Sequence, residues 1–213
     1  MYKHKNGITL RKMERSDLPA LKDLKSESWF GTHTIAILNT EEQEAWYESM
    51  IGHPKHMIMI ALITNDLGDP GSIKITQRVG VYKISNLDYM NSRYDSAYDV
   101  FEEYRGKGLG KKVAEAGVDF GFEVLNMNRA DTEVLSNNDA SKKCTIFAGF
   151  TLEGVKRRCV RKCDEWLSSN FYGLLRDEWR ELDRVKAYEG VCNETYKPKT
   201  DTIDNGPPYR GCN

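Results

Sequence analysis

A glycine-rich, basic segment at residues 103–112 constrains the fold more than any other part of the chain; it reads Glu-Tyr-Arg-Gly-Lys-Gly-Leu-Gly-Lys-Lys. Its alternating glycines, Gly106, Gly108 and Gly110, allow a tight turn and let backbone N–H groups approach a ligand closely. An amphipathic helical pattern follows, so the positive end of a helix dipole faces the turn. The segment therefore predicts a binding site for a pyrophosphate at the start of a helix.

The spacing of this segment excludes two common nucleotide-binding motifs. A P-loop requires Gly-x-x-x-x-Gly-Lys-Ser/Thr, but Lys111 stands five residues after Gly106 and is followed by Lys112. A Rossmann loop requires Gly-x-Gly-x-x-Gly near the start of a βαβ unit, whereas this chain has Gly-x-Gly-x-Gly midway along its length. Neither nucleotide motif describes the loop.

A second motif lies about thirty residues further along, where Asn-Asp-Ala-Ser at 138–141 leads to Gly-Phe at 149–150. Asn138 is suited to the N-cap of a short helix, and Gly149 to the left-handed position that ends one. The two residues stand eleven positions apart. On these grounds alone the segment is a well-capped helix.

Hydrophobic periodicity predicts elements in the order β-α-α-β-β-β-α-β-α-β-β. Thr40 opens a capping box and is expected to cap a helix that ends near Gly52. The helix after the glycine loop is expected to turn Val113, Gly117 and Val124 toward the core, together with Phe120. The other predicted elements are strands at 8–12, 56–64, 79–85, 94–101, 130–135, 151–161 and 166–175, and helices at 17–28 and 139–148.

The two motifs together resemble the cofactor segments of the GNAT superfamily of acetyl-CoA-dependent N-acetyltransferases. The first, Arg/Gln-x-x-Gly-x-Gly/Ala, is matched by Arg105, Gly108 and Gly110, and the second by the segment that starts at Asn138. Stretches at 8–11, 104–110, 149–154 and 171–179 are similar to the RimJ/RimL-like branch, which acetylates the N-termini of ribosomal proteins. The resemblance spans roughly residues 7 to 180.

The resemblance implies an α/β (α+β) fold of the GNAT type, with a mixed central sheet of about seven strands flanked by about four helices. Two parallel strands of this sheet splay apart and hold acetyl-CoA between them. We expect residues 1–185 to form the acetyltransferase domain and residues 186–213, which are polar and aperiodic, to form a C-terminal tail.

The resemblance also implies the cofactor site. Backbone N–H groups of the glycine loop hold the pyrophosphate, and an N–H group of Val100 or Phe101 at the free strand edge is the candidate donor to the carbonyl oxyanion. The lysine side chains of the loop are weaker candidates, because charged loops are usually solvated. The expected cofactor-binding residues are Val100, Phe101, Arg105, Gly106, Lys107, Gly108, Leu109, Gly110, Lys111 and Asn138.

The expected catalytic residues are Ser141 and Asp95. Many GNAT enzymes place a tyrosine seven residues after the motif asparagine, where this chain has Thr145, whereas RimJ/RimL-like enzymes commonly have a serine at the position of Ser141. The resemblance implies that Ser141 hydrogen-bonds the departing sulfur; alternatively, it simply occupies the first turn of a helix. Asp95 aligns with a glutamate that often serves as the base and would act through a water, or it is a surface aspartate at a strand start.

Phe30 and His33 stand between the first two predicted helices, a region that covers the substrate entrance in this family. They are the expected substrate-binding residues. His33 and His53 are alternative bases by residue type only, since lone histidines are more often structural or exposed.

The overall charge and the cysteines exclude several classes of function. A formal net charge of −1 provides no global positive field for nucleic acid. The longest apolar run, at 57–63, is too short to span a bilayer, and we expect a cytoplasmic protein without a signal region. Five cysteines without a CxxC pair favour reduced thiols over disulfides or a zinc site, so no metal is expected. A homodimer is compatible with the sequence.

The sequence does not name the acceptor amine. The RimJ/RimL-like stretches imply direct transfer of an acetyl group from acetyl-CoA to a protein N-terminus. Alternative acceptors are small amines: a nucleotide amino sugar, a polyamine or an antibiotic. A non-catalytic acyl-CoA-binding sensor is a further alternative, because GNAT folds can lose their chemistry and the tyrosine is missing.

Overall fold

The computed structural model of the chain describes residues 1–33, 39–65 and 75–185. Met1–Trp179 form one compact unit, and a second unit begins at Arg180. The predicted polar tail at 186–213 lies outside the described residues. Among the described residues, no helix combines the length and the apolar character that crossing a membrane requires.

The first unit is built on one sheet whose strands lie in the order β1-β2-β3-β4-β5-β6-β8-β7. The pair β5–β6 is parallel and the other neighbours are antiparallel. This mixed sheet confirms the expected class of fold, with the short β1 as an additional strand. The strands are β1 (Tyr2–Lys3), β2 (Ile8–Lys12), β3 (Met57–Asn65), β4 (Ile75–Asp88), β5 (Arg93–Val100), β6 (Arg129–Leu135), β7 (Thr151–Lys162) and β8 (Glu165–Leu175).

The four helices that periodicity predicts are present, whereas the short helix Arg176–Arg180 was not predicted and one cap differs. Asn39 has an extended backbone and its side chain accepts a hydrogen bond from the Glu42 N–H, so Asn39 is the N-cap and Thr40 is already helical. The expected cap at Thr40 is wrong by one residue. The α-helices in the described part of the chain are α1 (Leu18–Ser28), α2 (Thr40–Met50), α3 (Leu109–Glu123), α4 (Asp139–Phe147) and α5 (Arg176–Arg180).

The two faces of the sheet pack against different helices. On one face, Val81 of β4 belongs to an apolar cluster with Leu21 and Leu24 of α1. On the other face, α3 crosses β4 and β5 at Gly117 and Gly121, where a Cβ atom would overlap the rings of Tyr82 and Tyr94. Glycine is therefore required for the close approach of α3 to the sheet.

The expected core face of α3 is correct near its start and wrong at its end. Val113 is fully buried and Gly117 contacts the sheet, whereas Val124 is 53 % exposed. The reason is that α3 ends at Glu123, so Val124 lies beyond the last turn that packs against the sheet.

Candidate functional site

A gap between β5 and β6 is the central feature of the candidate site. The two strands pair only at three levels, of which Asp95 opposite Asp131 is the last. Beyond that level β5 continues to Val100 and β6 to Leu135 without pairing to each other, while β6 remains paired with β8 along its length. The separation leaves one edge of β5 available to a ligand.

The pairing of β5 with β4 decides which N–H groups face this gap. The Phe101 N–H donates to the Val79 carbonyl at 3.1 Å, so it points toward β4. Because backbone groups alternate along a strand, the N–H groups of Tyr98 and Val100 point toward the gap. The Val100 N–H has a local acceptor, Oδ1 of Asp99, at 2.9 Å. The sequence predicted the N–H of Val100 or Phe101 as the donor to the oxyanion. The Val100 N–H faces the gap, whereas the Phe101 N–H faces away from it. The N–H of Tyr98 also faces the gap and was not predicted as a donor.

The glycine loop lies between the end of β5 and the start of α3. Gly106 and Gly108 adopt left-handed backbones with φ of 74° and 76°. No heavy atom lies within 4 Å of a Cβ placed on either glycine, so the loop surface is open. Gly108 is the N-cap of α3 and supplies no side chain, which leaves the first N–H groups of the helix available to an anion.

The loop meets α4 at Gly110. A Cβ atom on Gly110 would lie 3.3 Å from Sγ of Cys144 in α4 and 3.8 Å from Cγ2 of Val100 in β5. The start of α3, the end of β5 and the middle of α4 are therefore in contact. The glycine loop and the gap therefore adjoin each other.

Cationic side chains of the loop are partly engaged by the protein. The Lys107 ammonium lies 5.6 Å from the ring centroid of Tyr104, and the Lys111 ammonium lies 4.8 Å from that of Phe147. These contacts are cation–π interactions at a partly exposed surface, which contribute modestly.

Arg105 folds back onto the end of β5. Its Nε donates to the Val100 carbonyl at 3.0 Å, and its Nη2 lies 3.8 Å from Glu27 and 3.7 Å from Asp99. Arg105 therefore fixes the geometry at the wide end of the gap.

The second motif holds α4 beside the gap. Asn138 Oδ1 accepts the Ser141 N–H at 3.0 Å, and Asn138 Nδ2 donates to the Gly31 carbonyl at 2.9 Å. The Tyr98 hydroxyl donates to the Ser141 carbonyl at 3.0 Å and lies 3.4 Å from its Oγ. Ser141 is thus both a first-turn residue of α4 and a neighbour of the strand that lines the gap.

A phenol lies beside Ser141 although the tyrosine typical of the family is absent. Thr145, at the position of that tyrosine, is buried, and its Oγ1 has no hydrogen-bond partner in the described part of the chain. The nearby phenol comes from Tyr98 on β5, and burial raises its pKa, so the hydroxyl remains protonated. Sequence spacing within α4 gives no sign of this residue, because it lies on another element.

Asp95 lies at the closed end of the gap. Its Oδ2 accepts a hydrogen bond from Asn86 Nδ2 at 2.6 Å, which turns the carboxylate toward β4. Asp95 shares the face of Lys83 and Val81, because Lys83 pairs with Ala97 in the same strand ladder. This is the face that packs on α1.

Two lysines lie on the same face near the gap. Lys25 of α1 is only 7 % exposed, and its ammonium lies 3.3 Å from the ring centroid of Trp46. Burial, together with the charge of Lys83, lowers the pKa of Lys25 to about 8. Burial also lowers the pKa of Lys83, against the opposite effect of Asp99.

Phe30 and His33 lie in the segment after α1. The Phe30 ring packs edge-to-face on Trp29 and remains partly exposed. His33 reaches the sheet: its Nε2 lies 2.8 Å from Ser169 Oγ on β8 and 3.2 Å from Glu133 Oε1 on β6. Glu133 and Ser169 were not anticipated from the sequence, since they are about a hundred or more positions away from His33.

Comparisons with known proteins agree with this geometry. The family described as "Acetyltransferase (GNAT) domain" matches residues 8–151. The uncharacterized N-acetyltransferase p20 of Bacillus licheniformis is 26% identical over 180 residues, which cover 81% of this chain and 94% of that protein. The putative ribosomal N-acetyltransferase YdaF of Bacillus subtilis is 23% identical over 176 residues, with coverage of 81% and 93%.

A solved structure with the same fold is spermidine N-acetyltransferase from Vibrio cholerae in complex with CoA and spermine. It superposes with a TM-score of 0.71 at 17% identity, covering 82% of this chain and 99% of that one. The likeness confirms the expected fold.

Proposed function

The chain belongs to the GNAT family of acetyltransferases, and we propose that the amine it acetylates is the N-terminus of a protein. It is an acetyl-CoA-dependent N-acetyltransferase of the GNAT type. The observation that carries acetyl-CoA binding is the gap between β5 and β6, which leads directly to the open glycine loop at the start of α3. The choice of acceptor rests on the acidity of an α-amine.

The residues around the gap fit acetyl-CoA. The pyrophosphate binds the N–H groups between Gly106 and Gly110, where a Cβ atom at Gly106 or Gly108 would project into open space. The pantetheine arm lies along the free edge of β5, and the N–H of Tyr98 or Val100 donates to the thioester oxygen. Ser141 hydrogen-bonds the departing thiolate.

The transfer proceeds by direct attack of the amine on the thioester carbon. Holding both reactants in one site replaces an encounter in solution by a reaction between aligned groups. An N–H group aimed at the carbonyl oxygen stabilises the negative charge that develops during attack.

A protein N-terminus is the preferred acceptor because its ammonium group loses a proton more readily than that of a lysine. An α-amine has an ordinary pKa of about 7.7–8.0, against about 10.4 for lysine, so a larger fraction is nucleophilic near neutral pH. The relative YdaF, named as a putative ribosomal N-acetyltransferase, supports the same choice.

A polyamine is the second candidate, favoured by the Vibrio cholerae structure that contains CoA and spermine. Charges of both signs lie on the face that packs on α1. Lys25 and Lys83 disfavour a polycation there, whereas the carboxylate of Glu133 favours one, so the local charges do not decide between the two acceptors. The ranking rests on the acidity of the α-amine.

We also propose a cytoplasmic location. The cysteines in the described part of the chain, Cys144, Cys159 and Cys163, are free thiols, which are typical of a reducing compartment.

The proposal is tested by incubating the protein with acetyl-CoA and a panel of acceptors, and measuring CoA thiol release with mass spectrometry of the products. The panel contains peptides with free N-termini, spermidine, a nucleotide amino sugar and an aminoglycoside. We expect a single acetyl group on the α-amine of the peptides. Exclusive turnover of a small amine would overturn the N-terminal acceptor.

A further inference from the structure

Glu133 lies on the part of β6 that borders the gap. The parallel register, in which Asp95 pairs with Asp131, puts Glu133 at the level of Ala97, the first step at which the strands have separated on this face. Residues two apart on a strand share a face, so Glu133 lies on the face that packs on α1. Its side chain is 37 % exposed.

His33 contacts both Glu133 of β6 and Ser169 of β8. Nε2 of its ring contacts Glu133 Oε1 at 3.2 Å and Ser169 Oγ at 2.8 Å, and Ser169 itself is fully buried. The imidazole is 38 % exposed, so it is both anchored and accessible. A histidine whose Nε2 bonds a carboxylate is oriented to accept a proton on Nδ1.

Asp95 is less well placed for the same task. It stands at the last paired level of β5 and β6, and its carboxylate is bonded to Asn86 on the β4 side. Glu133, which His33 contacts, lies one step further along β6, at the first level on this face where β5 and β6 are no longer paired.

We infer that His33 takes the proton from the attacking amine and that Glu133 positions its ring, an assignment that rests on the proposed acetyl transfer. A proton of the ammonium passes to Nδ1 of His33, and the Nε2–H of the resulting imidazolium bonds Glu133. The neutral nitrogen then forms a bond to the thioester carbon, the C–S bond breaks with its electron pair on sulfur, and the thiolate takes the second amine proton. The imidazolium finally releases its proton to water.

Charged groups around the segment that carries His33 come from β6 and β7. Glu133 contributes a carboxylate from β6, and Lys162 at the end of β7 donates to the Trp29 carbonyl at 2.6 Å. Burial lowers the pKa of Lys162. One carboxylate and one ammonium therefore lie beside this segment.

The test measures kcat, KM for the amine and acetyl-CoA affinity across the pH range for wild type and single variants. We expect His33→Gln to lower kcat about a hundredfold near neutral pH, within the usual range for loss of a general base, and to leave acetyl-CoA affinity unchanged. The deficit shrinks at high pH, where the free amine is already neutral. Added imidazole partly restores kcat to the His33→Ala variant.

Glu133→Gln separates the positioning role from the catalytic one. Loss of the carboxylate removes the contact that orients the ring, so kcat falls less than in His33→Gln while KM for the amine and acetyl-CoA affinity stay near those of wild type. His56→Gln is the matched control: it removes a half-buried histidine at the start of β3 and leaves kcat and the pH profile unchanged.

The outcomes that would contradict the role of His33 differ from those that would contradict the proposed acetyl transfer. Wild-type kcat and an unchanged pH profile in His33→Gln would overturn the inference alone, and so would a loss that is equal at every pH. A greater loss in Asp95→Asn than in His33→Gln would assign the base to Asp95. If wild type acetylated no amine of the panel while still binding acetyl-CoA, the proposed function would fail together with the inference.

Discussion

Gly108 is the residue of the glycine loop on which the proposed pyrophosphate site depends most directly. Its φ of 76° lies in the left-handed region, and the space beside it is open. A side chain there therefore costs energy through its own backbone and projects toward the position proposed for the pyrophosphate.

Gly108→Val is expected to weaken acetyl-CoA binding more than tenfold, because the branched side chain blocks close approach of the N–H groups. Isothermal calorimetry of the folded variant measures this. Gly52→Val is the matched control, since Gly52 also has a left-handed backbone, with φ of 67°, and open space around it. Both variants should lose similar stability, on the order of 1–2 kcal/mol. Equal acetyl-CoA affinity in the two would remove the glycine loop from the cofactor site.

Ser141→Ala is expected to reduce kcat roughly tenfold with little effect on acetyl-CoA affinity, because a hydrogen bond to the thiolate matters mainly in the transition state. The cap of α4 survives the change, since Asn138 accepts from the backbone N–H of Ser141. Single-turnover kinetics would measure the chemical step. Ser49→Ala, which removes an exposed hydroxyl of α2, is the control, and equal rates in both variants would make Ser141 only a first-turn residue.

At the scale of elements, local patterns predict segments well and their ends less well. The alternation that begins at Ile8 and the capping signals near residue 40 identify a strand and a helix correctly, yet Asn39 competes successfully with Thr40 for the cap. The strand predicted at 79–85 extends to Asp88, because a register shift after Ser85 lets it continue through Asn86 at φ of 48°. Such irregularities depend on the partner strand, which the local sequence does not contain.

The parts of the site that could be predicted are those whose residues lie together in the sequence. The glycine loop is contiguous, so its residues are visible together in the sequence. The direction of the Phe101 N–H depends on Val79, and the contact of His33 with Glu133 joins segments that only the folded sheet brings together. A pattern confined to one segment cannot reveal either.

A buried polar network ties His4, which follows β1, and Trp179 of α5 to α3. His4 Nε2 lies 2.9 Å from Asp119 Oδ2, and Trp179 Nε1 donates to Asp119 Oδ1 at 2.7 Å. Burial alone would lower the pKa of His4, but hydrogen bonds with Asp119 and Asn6 and the negative charges of Asp119 and Glu115 outweigh it, so the pKa is raised.

This network predicts a pH-dependent contribution to stability. Because the folded pKa of His4 is raised, the stabilisation is fully present below the ordinary pKa of about 6.5 and is lost as the pH rises through the folded pKa. His4→Gln should therefore cost more free energy of unfolding at about pH 5.5 than at about pH 9. Urea unfolding of both proteins at the two values measures the difference. A cost independent of pH, or one that grows with pH, would contradict the raised pKa.

On the scale of the whole molecule, the proposed sites for the cofactor and for the acceptor lie on different faces of the sheet. The loop and helices at the open end of β5 suit the anionic cofactor, whereas the face that packs on α1 carries His33, Lys25 and Lys83 near the gap. The formal net charge of −1 gives no global preference for an acceptor of either charge.

A comparison of three acceptors tests the proposed N-terminal acceptor most directly. The three acceptors are a peptide with a free N-terminal Ser and an acetylated lysine, the same peptide with a blocked N-terminus and a free lysine, and spermidine. Initial rates at equal concentration and near-neutral pH are followed by mass spectrometry. We predict the fastest acetylation at the free α-amine, because its ordinary pKa of about 7.7–8.0 leaves a larger fraction of it neutral and nucleophilic than of a lysine amine, whose ordinary pKa is about 10.4. Faster acetylation of spermidine or of the free lysine would contradict the central claim.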